Sequence, residues 1–224
     1  CKKSLEESKF LLSFGISDDF SFEENFKKIN KIKIISFDPT VSNIFFIKKI
    51  IKNLLKLNLK IFYQNIINYI KFKKFFDNKN NILIKKKIGK GGSASYEHID
   101  FNEIIKLTND SSSIFLKIDI EGDEYRILDD IINNNELIKG IAIEFHDADL
   151  HTDKIINFIN KINLSLVHVH PNNYSTYGKG EIVSSLEMTF SKNPKLIKNE
   201  VTFPHELDQK NNPDAEDLKI VFKV

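Results

Sequence analysis

Short apolar runs rich in β-branched residues alternate along the chain with segments whose apolar residues recur every three or four positions. The runs predict strands, and the recurring spacing predicts helices. Strands are predicted at residues 9–14, 31–37, 81–88, 114–118, 139–145, 164–170 and 185–191, with a last short strand at 218–224. Helices are predicted at residues 20–29, 42–57, 101–107, 125–132 and 152–162, and over part of 61–76. This alternation favours an α/β fold with a mostly parallel sheet and right-handed connections.

The predicted strand Ile114–Ile118 ends in an acidic corner. Its β-branched, apolar composition suits a central strand that is covered on both faces. Asp123 and Glu124 fit the first turn of the following helix, where acidic residues favour the positive end of the helix dipole. Capping explains Asp119 and Glu121 less well, because they lie at the carboxyl end of the strand. That end faces the ligand crevice in open α/β sheets, so we expect Asp119 and Glu121 at a binding site.

The length of 224 residues and the hydrophobic content of 41% predict a single domain with a substantial core. We expect the domain to span residues 1–224, with its core at about 9–191 and a C-terminal tail at 192–224. The one cysteine, Cys1, excludes an internal disulfide and a cysteine-based zinc site, and it fits a cytoplasmic setting. No apolar run reaches membrane-spanning length. Because the chain begins with Cys1 rather than Met, we expect a segment upstream of it.

The net charge of +2 conceals an uneven distribution along the chain. Between Lys48 and Lys90 there are many lysines and one acid, Asp77. We interpret this stretch as the solvated face of long helices, and binding to an anionic surface or polymer is the alternative. Its aromatic residues are expected to pack inside the protein rather than to stack on bases. A nucleic acid is therefore not an expected partner.

Two residues at predicted strand ends indicate the kind of ligand. Gly15 follows the first strand, and Asp38 ends the second, directly before Pro39. A lone glycine lets a loop approach a ligand, and an acid at this place can accept hydrogen bonds from both ribose hydroxyls. The G-x-G-x-x-G turn of dinucleotide sites and the lysine motif of P-loops are both missing. A nucleoside without a diphosphate fits best, as in S-adenosylmethionine, although Asp38 as a plain turn residue is the alternative.

Four segments carry a family resemblance. The first is LSFGISDD at residues 12–19, followed by SFE at 21–23, and the second is SFDPT at 36–40. The third is LKIDIEGDE at 116–124, and the fourth is IEFH at 143–146. Together, in this order, they resemble motifs of the FkbM-related methyltransferase-like family, and most closely its METTL24-like branch. The departure from classical methyltransferases is the missing G-x-G-x-G.

This resemblance implies a class I S-adenosylmethionine-dependent methyltransferase fold, which is Rossmann-like. Its sheet has seven mostly parallel strands, with one antiparallel strand near the end and helices on both faces. The resemblance also implies S-adenosylmethionine as cofactor and methyl transfer to a hydroxyl, so the expected acceptor is a glycan or another small molecule. Carried onto the matching positions, it implies the cofactor-binding residues Phe14, Gly15, Ile16, Ser17, Asp38, Pro39 and Asp119.

A hydroxyl acceptor requires a base, and His146 is the first candidate because it follows the end of a predicted strand. His170, at the end of another strand, is the second candidate, and a structural role is the alternative for both. Glu121 is expected to contact the cofactor or to orient the acceptor. His168 lies in mid-strand and is expected to pack more deeply than His170.

Carboxylates and imidazoles are also frequent between Glu144 and His151, which raises the question of a metal. Their spacing fits no known ligand pattern, so no metal site is predicted. The leading hypothesis is an O-methyltransferase. A methyltransferase-fold binding module without catalysis is the alternative, favoured by the reduced first motif. A nucleotide-sugar transferase is a third hypothesis, although the sequence offers no diphosphate cradle.

Overall fold

The computed structural model of the protein describes residues 2–91, 96–109, 113–195, 203–205 and 208–220. The strands are β1 Phe10–Phe14, β2 Lys33–Phe37, β3 Asn81–Ile84, β4 Lys87–Ile88, β5 His98–Ile99, β6 Ile114–Ile118, β7 Ile138–Phe145, β8 Ser165–Pro171 and β9 Leu186–Ser191. The helices are α1 Lys2–Glu7, α2 Ser21–Ile29, α3 Asn43–Leu55, α4 Leu59–Phe76, α5 Phe101–Lys106, α6 Leu128–Asn133 and α7 Thr152–Lys161. Short 3-10 helices lie at Glu124–Arg126, Asn135–Leu137 and Lys179–Glu181.

In the described part of the chain, seven strands form one sheet in the order β3-β2-β1-β6-β7-β9-β8. β9 runs antiparallel to both of its neighbours, and the other neighbouring pairs are parallel. After β1 the chain therefore builds one side of the sheet, and it returns with β6 to build the other. The expected class I methyltransferase fold, with one antiparallel strand near the end, is confirmed.

The central strands are buried on both faces because helices cover the sheet on both sides. Leu12 and Phe14 of β1 face one side and pack in a core that α5, α6 and α7 complete. Leu11 faces the other side and packs with Phe26 of α2 and Phe115 of β6. This double cover explains why the central strands read as nearly continuous apolar runs. The prediction of helices on both faces is confirmed.

The segment 81–88 differs from its prediction as one strand. β3 ends at Ile84 and lies at the edge of the large sheet. Lys87–Ile88 pairs instead with His98–Ile99 in a small parallel sheet. The backbone leaves the large sheet between these two pieces, so a single apolar run supplies strands to two sheets. This division turns residues 85–88 toward the carboxyl ends of the large sheet.

Other differences lie at short elements. Helix α1 is not predicted, because six residues are too few for a clear period. The helix expected after the acidic corner is interrupted, since Glu124–Arg126 is a 3-10 helix and α6 begins only at Leu128. In the tail, residues 218–220 lie outside any strand, and residues 221–224 of the predicted last strand lie outside the described residues. The sequence also predicts loops at residues 89–93 and 109–111, and residues 92–93 and 110–111 of these loops lie outside the described residues.

Helices α3 and α4 form a hairpin whose base joins the core. Phe46 of α3 and Phe72 of α4 are buried against Ile16 and Phe20. Ser42 caps α3, since its Oγ accepts the N–H of Phe45 at 3.1 Å. The prediction of a long helix is confirmed for α3, and α4 is helical over all 18 of its residues. The interpretation of this stretch as a solvated face is incomplete, because large apolar side chains of both helices are also exposed.

Among the described residues, no helix is long and apolar enough to cross a membrane.

Candidate functional site

A cavity of about 600 Å³ lies at the carboxyl ends of β1, β2 and β6. The connections that follow β1 and β6 run to opposite sides of the sheet, and open α/β sheets bind ligands at such a switch point. The volume is typical of a small-molecule site. Six of the seven predicted cofactor-binding residues line the cavity: Gly15, Ile16, Ser17, Asp38, Pro39 and Asp119.

Gly15 allows the end of β1 to approach the end of β6 at the base of this cavity. Its φ is +75°, and a Cβ at this position would overlap the backbone carbonyl of Asp119. The N–H of Gly15 donates to the carbonyl of Phe37 at 2.9 Å, and the N–H of Asp119 donates to the carbonyl of Phe14 at 2.9 Å. The first loop is thereby tied to both neighbouring strands, and position 15 accepts only glycine.

Asp38 holds the first loop in place through hydrogen bonds. Its Oδ2 accepts the N–H groups of Ile16 at 3.0 Å and Ser17 at 2.9 Å. Its Oδ1 accepts the N–H and the hydroxyl of Thr40, at 2.8 and 2.6 Å, and the N–H of Val41 at 3.2 Å. Burial alone would raise the pKa of Asp38, but these hydrogen bonds outweigh it and hold the pKa below its usual value. A ribose hydroxyl could bond to Asp38 only by replacing one of these donors, so the ribose role remains a prediction.

A polar network lies beneath the first loop. Ser13 of β1 and Lys117 of β6 are register partners. The hydroxyl of Ser13 donates to Glu23, and the ammonium of Lys117 donates to the carbonyl of Gly15 and lies 3.3 Å from Oδ2 of Asp119. Glu23 is completely buried, and burial raises its pKa although Lys117 and Ser13 act in the opposite direction. Lys117 therefore connects the glycine loop to the acidic corner after β6.

His146 lies at the end of β7 among four carboxylates of the described residues. Its Nδ1 is 3.3 Å from Oε1 of Glu124, which also accepts the backbone N–H of His146 at 2.7 Å. Its Nε2 is 3.8 Å from Oδ1 of Asp119, 3.6 Å from Oε2 of Glu121 and 3.7 Å from Oε1 of Glu144. Asp119 and Glu121 also line the cavity. The imidazole therefore lies beside the cavity, near the two acids expected from the sequence.

The charge of His146 follows from these neighbours. Burial alone would lower its pKa, but the hydrogen bond to Glu124 and the negative charges of Glu124, Glu144 and Glu121 outweigh burial. The pKa of His146 is raised from 6.5 to about 9. The ring is therefore an imidazolium at neutral pH, and it becomes a base only when its proton leaves.

Glu124 corrects a prediction, because capping does not describe its role. Its side chain is completely buried. Oε2 accepts the N–H of Gly122 at 2.9 Å, while Oε1 holds the backbone and ring of His146. The hydroxyl of the next residue, Tyr125, donates to the carbonyl of His146 at 2.6 Å. Glu124 and Tyr125 together fix His146 relative to the acidic corner.

Two hydrogen-bond donors orient Glu144, which also belongs to a candidate cation site. The amide of Asn172, at 2.7 Å, and the hydroxyl of Ser185 both donate to its Oε1, and burial raises its pKa. Ligand atoms of Asp119, Glu144 and His146 lie within 4.8 Å of one another, so these described residues could hold a divalent cation. A cation would first have to displace the proton of His146. The absence of a metal therefore remains a prediction.

Loops at this edge of the sheet contain residues with an uncommon backbone conformation. Ser17 after β1, Glu121 after β6 and Asp147 after β7 have φ values of 46°, 54° and 50°. Left-handed conformations at residues other than glycine cost about 1–3 kcal/mol each and concentrate at functional sites. Three of the seven described residues that have this conformation and are not glycine thus lie near the cavity and the His146 cluster.

Phe14 and His170 do not take the positions predicted for site residues. The ring of Phe14 is completely buried against Phe37 and Phe101, and Phe14 is not among the described residues that line the cavity. His170 is 4% exposed and lies on β8, which β9 separates from β7. Its Nδ1 is 3.1 Å from Glu187, and it too is absent from the described lining. Side chains alternate between the two faces of a strand, and this alternation turns Phe14 into the core. The position of Phe14 therefore differs from the prediction.

The relative depth of two histidines is the reverse of the prediction. His168 is only partly buried, with a side chain 32% exposed, whereas His170 is buried. Nε2 of His168 lies 2.8 Å from Oδ1 of Asp208 in the tail. β8 is an edge strand, so its middle is less covered than the middle of a central strand. The position of a residue within its strand does not show whether that strand lies at the edge of the sheet. The relative burial of His168 and His170 could therefore not be predicted from it.

Some residues that line the cavity were not predicted, namely Lys86, Lys87 and Tyr96. Nζ of Lys87 lies 2.5 Å from Oδ2 of Asp123, which joins this wall to the acidic corner. Lys86 and Lys87 come from the segment 81–88 that the sequence assigns to one strand, and Tyr96 lies outside every predicted helix and strand. Ending β3 at Ile84 would have placed Lys86 and Lys87 at the carboxyl edge, where ligands bind.

Comparison with known proteins finds related folds. No family model and no curated protein matches the sequence. Among solved structures, a precorrin-6y C5,15-methyltransferase from Geobacter metallireducens is 12% identical, with 85% of this chain and 84% of that chain covered and a TM-score of 0.42. TrmK from M. capricolum, in complex with S-adenosylhomocysteine, is 13% identical, with 89% and 69% covered and a TM-score of 0.43. A putative tRNA (m1A22) methyltransferase from Streptococcus pneumoniae, in complex with S-adenosylmethionine, is 12% identical, with 88% and 72% covered and a TM-score of 0.42. At these identities and TM-scores, the likenesses decide nothing about the substrate of this chain.

Proposed function

We propose that this protein is an S-adenosylmethionine-dependent methyltransferase of the FkbM-related family that methylates a hydroxyl of a sugar, a glycan or a small metabolite. One observation carries the proposal: the cavity at the switch point adjoins the His146 cluster through Asp119 and Glu121. A nucleoside-sized ligand and a proton acceptor would then be neighbours. Transfer to a hydroxyl requires this proximity, because the acceptor oxygen must be positioned and must lose its proton.

The cavity fits the cofactor in size and in the chemistry of its walls. Gly15 lets the first loop approach the end of β6 at the base of the cavity, and Phe22 and Ile120 offer apolar surface. Asp19 and Ser21 add polar groups at the start of α2. S-adenosylmethionine, when bound there, supplies an electrophilic methyl group. Asp38 would contribute by keeping the first loop in its binding conformation.

His146 would accept the acceptor's proton at Nε2, because its Nδ1 is engaged by Glu124. With a pKa of about 9, about one molecule in a hundred has a neutral ring at pH 7. The same carboxylates that reduce this population stabilise the imidazolium that forms when the proton is accepted. Glu121 has an 86% exposed side chain beside the ring and would orient the acceptor.

A small or glycan acceptor agrees better with the charges of the site than a polyanion does. The lysines in the described lining of the cavity are Lys86, Lys87 and Lys117. Each lies near a carboxylate: Glu97 at 3.3 Å, Asp123 at 2.5 Å and Asp119 at 3.3 Å, respectively. A nucleic acid backbone requires uncompensated positive charge, and these lysines are already compensated.

A binding module without catalysis is the second candidate function. The observation that favours it is Asp38, whose two oxygens already accept five hydrogen bonds from described residues. Such a module would bind a nucleoside ligand weakly and would leave the charge of His146 without a use. The position of His146 beside Asp119 and Glu121, which line the cavity, favours the enzyme.

Calorimetric titration with S-adenosylhomocysteine, S-adenosylmethionine and UDP-glucose, side by side, tests the proposed ligand class. We expect the first two to bind and UDP-glucose not to bind, because the described lining of the cavity offers no diphosphate cradle. Binding of UDP-glucose alone would contradict the proposal. Methyl transfer from labelled S-adenosylmethionine to a panel of sugars and glycans then separates the enzyme from the module, since only the enzyme labels an acceptor.

A further inference from the structure

The hairpin of α3 and α4 has an apolar surface that the fold does not cover. Of the 21 described large apolar side chains that are exposed, 11 lie between Ile44 and Ile70. Ile44, Ile47, Ile51 and Leu54 follow one face of α3, and Leu59, Tyr63, Ile67 and Ile70 follow one face of α4. These spacings of three and four residues place each set on one side of its helix. Exposed apolar surface of this extent marks a site of interaction.

The tip of the hairpin is its most exposed part. Leu55 at the end of α3 is 78% exposed, and Leu57 in the connection is 82% exposed. Leu57 has a φ of 54°, a left-handed conformation that helix ends normally give to glycine or asparagine. An apolar residue in this place adds both strain and exposed apolar surface. Neither the strain nor the exposed apolar surface stabilises the fold. The tip is therefore better explained by contact with another molecule.

The charge of the hairpin is of one sign. Residues 43–76 contain eight lysines, at positions 48, 49, 52, 56, 60, 71, 73 and 74, and no aspartate, glutamate or arginine. Lys49 is paired with Asp18 of the first loop. Lys48, Lys52, Lys56, Lys60 and Lys71 each adjoin an exposed apolar residue of the hairpin in the sequence. The partner of this surface must therefore be negatively charged and must also accept aliphatic side chains.

These requirements select among the possible partners. A second copy of this face would bring lysines against lysines, which is repulsive. A nucleic acid would need exposed aromatic or arginine side chains for stacking, whereas Phe46 and Phe72 are buried and most exposed apolar residues here are aliphatic. An anionic lipid bilayer meets both requirements, because acyl chains receive leucine and isoleucine while lysines extend to the headgroups.

We propose that the α3–α4 hairpin binds the surface of anionic lipid bilayers, with Leu55 and Leu57 inserted at the boundary between headgroups and acyl chains. The hairpin lies in the interface and does not cross it. Its base contacts the first loop of the cavity, since the amide of Asn68 donates to the carbonyl of Asp18 at 2.8 Å. Bilayer binding would thus hold the cavity close to the membrane surface. This inference does not depend on the proposed enzymatic activity.

Vesicle flotation with the full chain tests the proposal. The vesicles are phosphatidylcholine alone, or phosphatidylcholine with about 30% phosphatidylserine, whose negative surface attracts lysines. We expect binding to the second type only, weakened by salt. The double variant Leu55→Ser/Leu57→Ser should lose at least about tenfold in binding, because it removes the inserted residues. The matched control Leu150→Ser/Ile156→Ser changes two residues that are exposed elsewhere, by 64% and 51%, and should bind like the wild type.

Three results would overturn the proposal. The first is equal binding to both vesicle types, and the second is undiminished binding of the Leu55/Leu57 variant. The third is an absence of vesicle binding, and a dimer in light scattering that the Leu55/Leu57 variant dissociates would then assign the surface to a second copy. Circular dichroism and thermal unfolding check that each variant folds. Folding is expected because both tip residues are exposed.

Discussion

The two halves of the crevice use their acids in opposite ways. On the β1–β2 half, Asp38 accepts hydrogen bonds from the protein at 2.6–3.2 Å. On the β6–β7 half, Asp119, Glu121 and Glu144 face the Nε2 of His146 at 3.6–3.8 Å, beyond hydrogen-bond distance. The first half is thus a set of satisfied hydrogen bonds, and the second is a set of charges gathered around one ring.

This difference distinguishes acids that stabilise the structure from acids that can take part in the chemistry. A carboxylate whose oxygens are satisfied by neighbouring N–H groups stabilises the conformation of a loop. Carboxylates that surround a titrating imidazole still respond to a proton or a ligand. We therefore expect substitutions in the first half to change stability and cofactor binding. Substitutions in the second half should change the pKa of His146 and the rate.

The largest effect is expected for Gly15→Ala, which removes the close approach of the two halves. The new Cβ would overlap the carbonyl of Asp119, so we expect a loss of more than about 4 kcal/mol in the free energy of unfolding. Gly180→Ala is the matched control, since its φ is +68° and no described atom lies within 4 Å of its Cβ position. It should cost only about 1–2 kcal/mol. Urea unfolding measures both, and equal losses would contradict the account of Gly15.

The next effect is on the rate. His146→Ala should lower methyl transfer by about 10²–10⁴-fold while the variant still folds and binds S-adenosylhomocysteine. His168→Ala should mainly lower stability, because its ring pairs with Asp208 at 2.8 Å. In the wild type, kcat/KM should rise with pH up to about 9, where His146 loses its proton. A profile that is already flat at pH 7 would show that another group is the base.

Asp38→Ala should weaken S-adenosylhomocysteine binding by at least about tenfold, because the first loop loses its anchor. The same variant should lose roughly 3 kcal/mol of stability at neutral pH. The pKa of Asp38 is lowered in the folded state, so its contribution is present above the usual pKa of 3.8 and is lost as pH falls through the folded value. Wild type and variant should therefore converge in strong acid. An unchanged dissociation constant in a folded variant would refute the role of Asp38 in binding.

The smallest effects distinguish the acids around His146. Glu124→Gln should lower the pKa of His146 the most, because Glu124 is its hydrogen-bonded, completely buried partner. Glu121→Gln should change that pKa less, since the Glu121 side chain is 86% exposed and its charge is screened by water. NMR titration of the imidazole measures both. A larger change from Glu121→Gln would contradict the ranking.

The same ring links pH to stability. Its folded pKa of about 9 lies above the ordinary value of 6.5. The stability that His146 contributes is therefore fully present below about pH 6.5 and is lost as pH rises through about 9. Glu124→Gln should weaken this dependence. Denaturant unfolding between pH 6 and 10 checks it, and a slope that is identical in both proteins would exclude His146 as its source.

The main features of the fold could be predicted from the sequence, because strand and helix periods are strong where elements are long and buried. The strand Ile114–Ile118 is confirmed, and His146, which the sequence places after a strand end, lies 3.8 Å from Asp119. The division of segment 81–88 could not be predicted, because periodicity does not tell which sheet a strand joins. Sequence position also assigns Glu124 to a helix cap, whereas its burial depends on how β7 pairs with β6.

The site itself could be predicted only as a neighbourhood. Acids at the ends of two strands, Asp38 and Asp119, were expected at one crevice, and both line its cavity. The sequence does not show which groups donate hydrogen bonds to each carboxylate oxygen. That information decides that Asp38 anchors a loop, and it depends on the backbone geometry of residues 16, 17, 40 and 41.

The central claim is that a nucleoside cofactor occupies the cavity at the switch point, and filling that cavity tests the claim most directly. Ser21 is exposed at the start of α2 and lines the cavity, whereas Lys28 is exposed further along the same helix. Calorimetric titration with S-adenosylhomocysteine should show binding to the wild type, a loss of at least about tenfold in Ser21→Trp and no change in Lys28→Trp, with tenfold equal to about 1.4 kcal/mol. Equal affinity in all three proteins, or no binding to the wild type, would contradict the account.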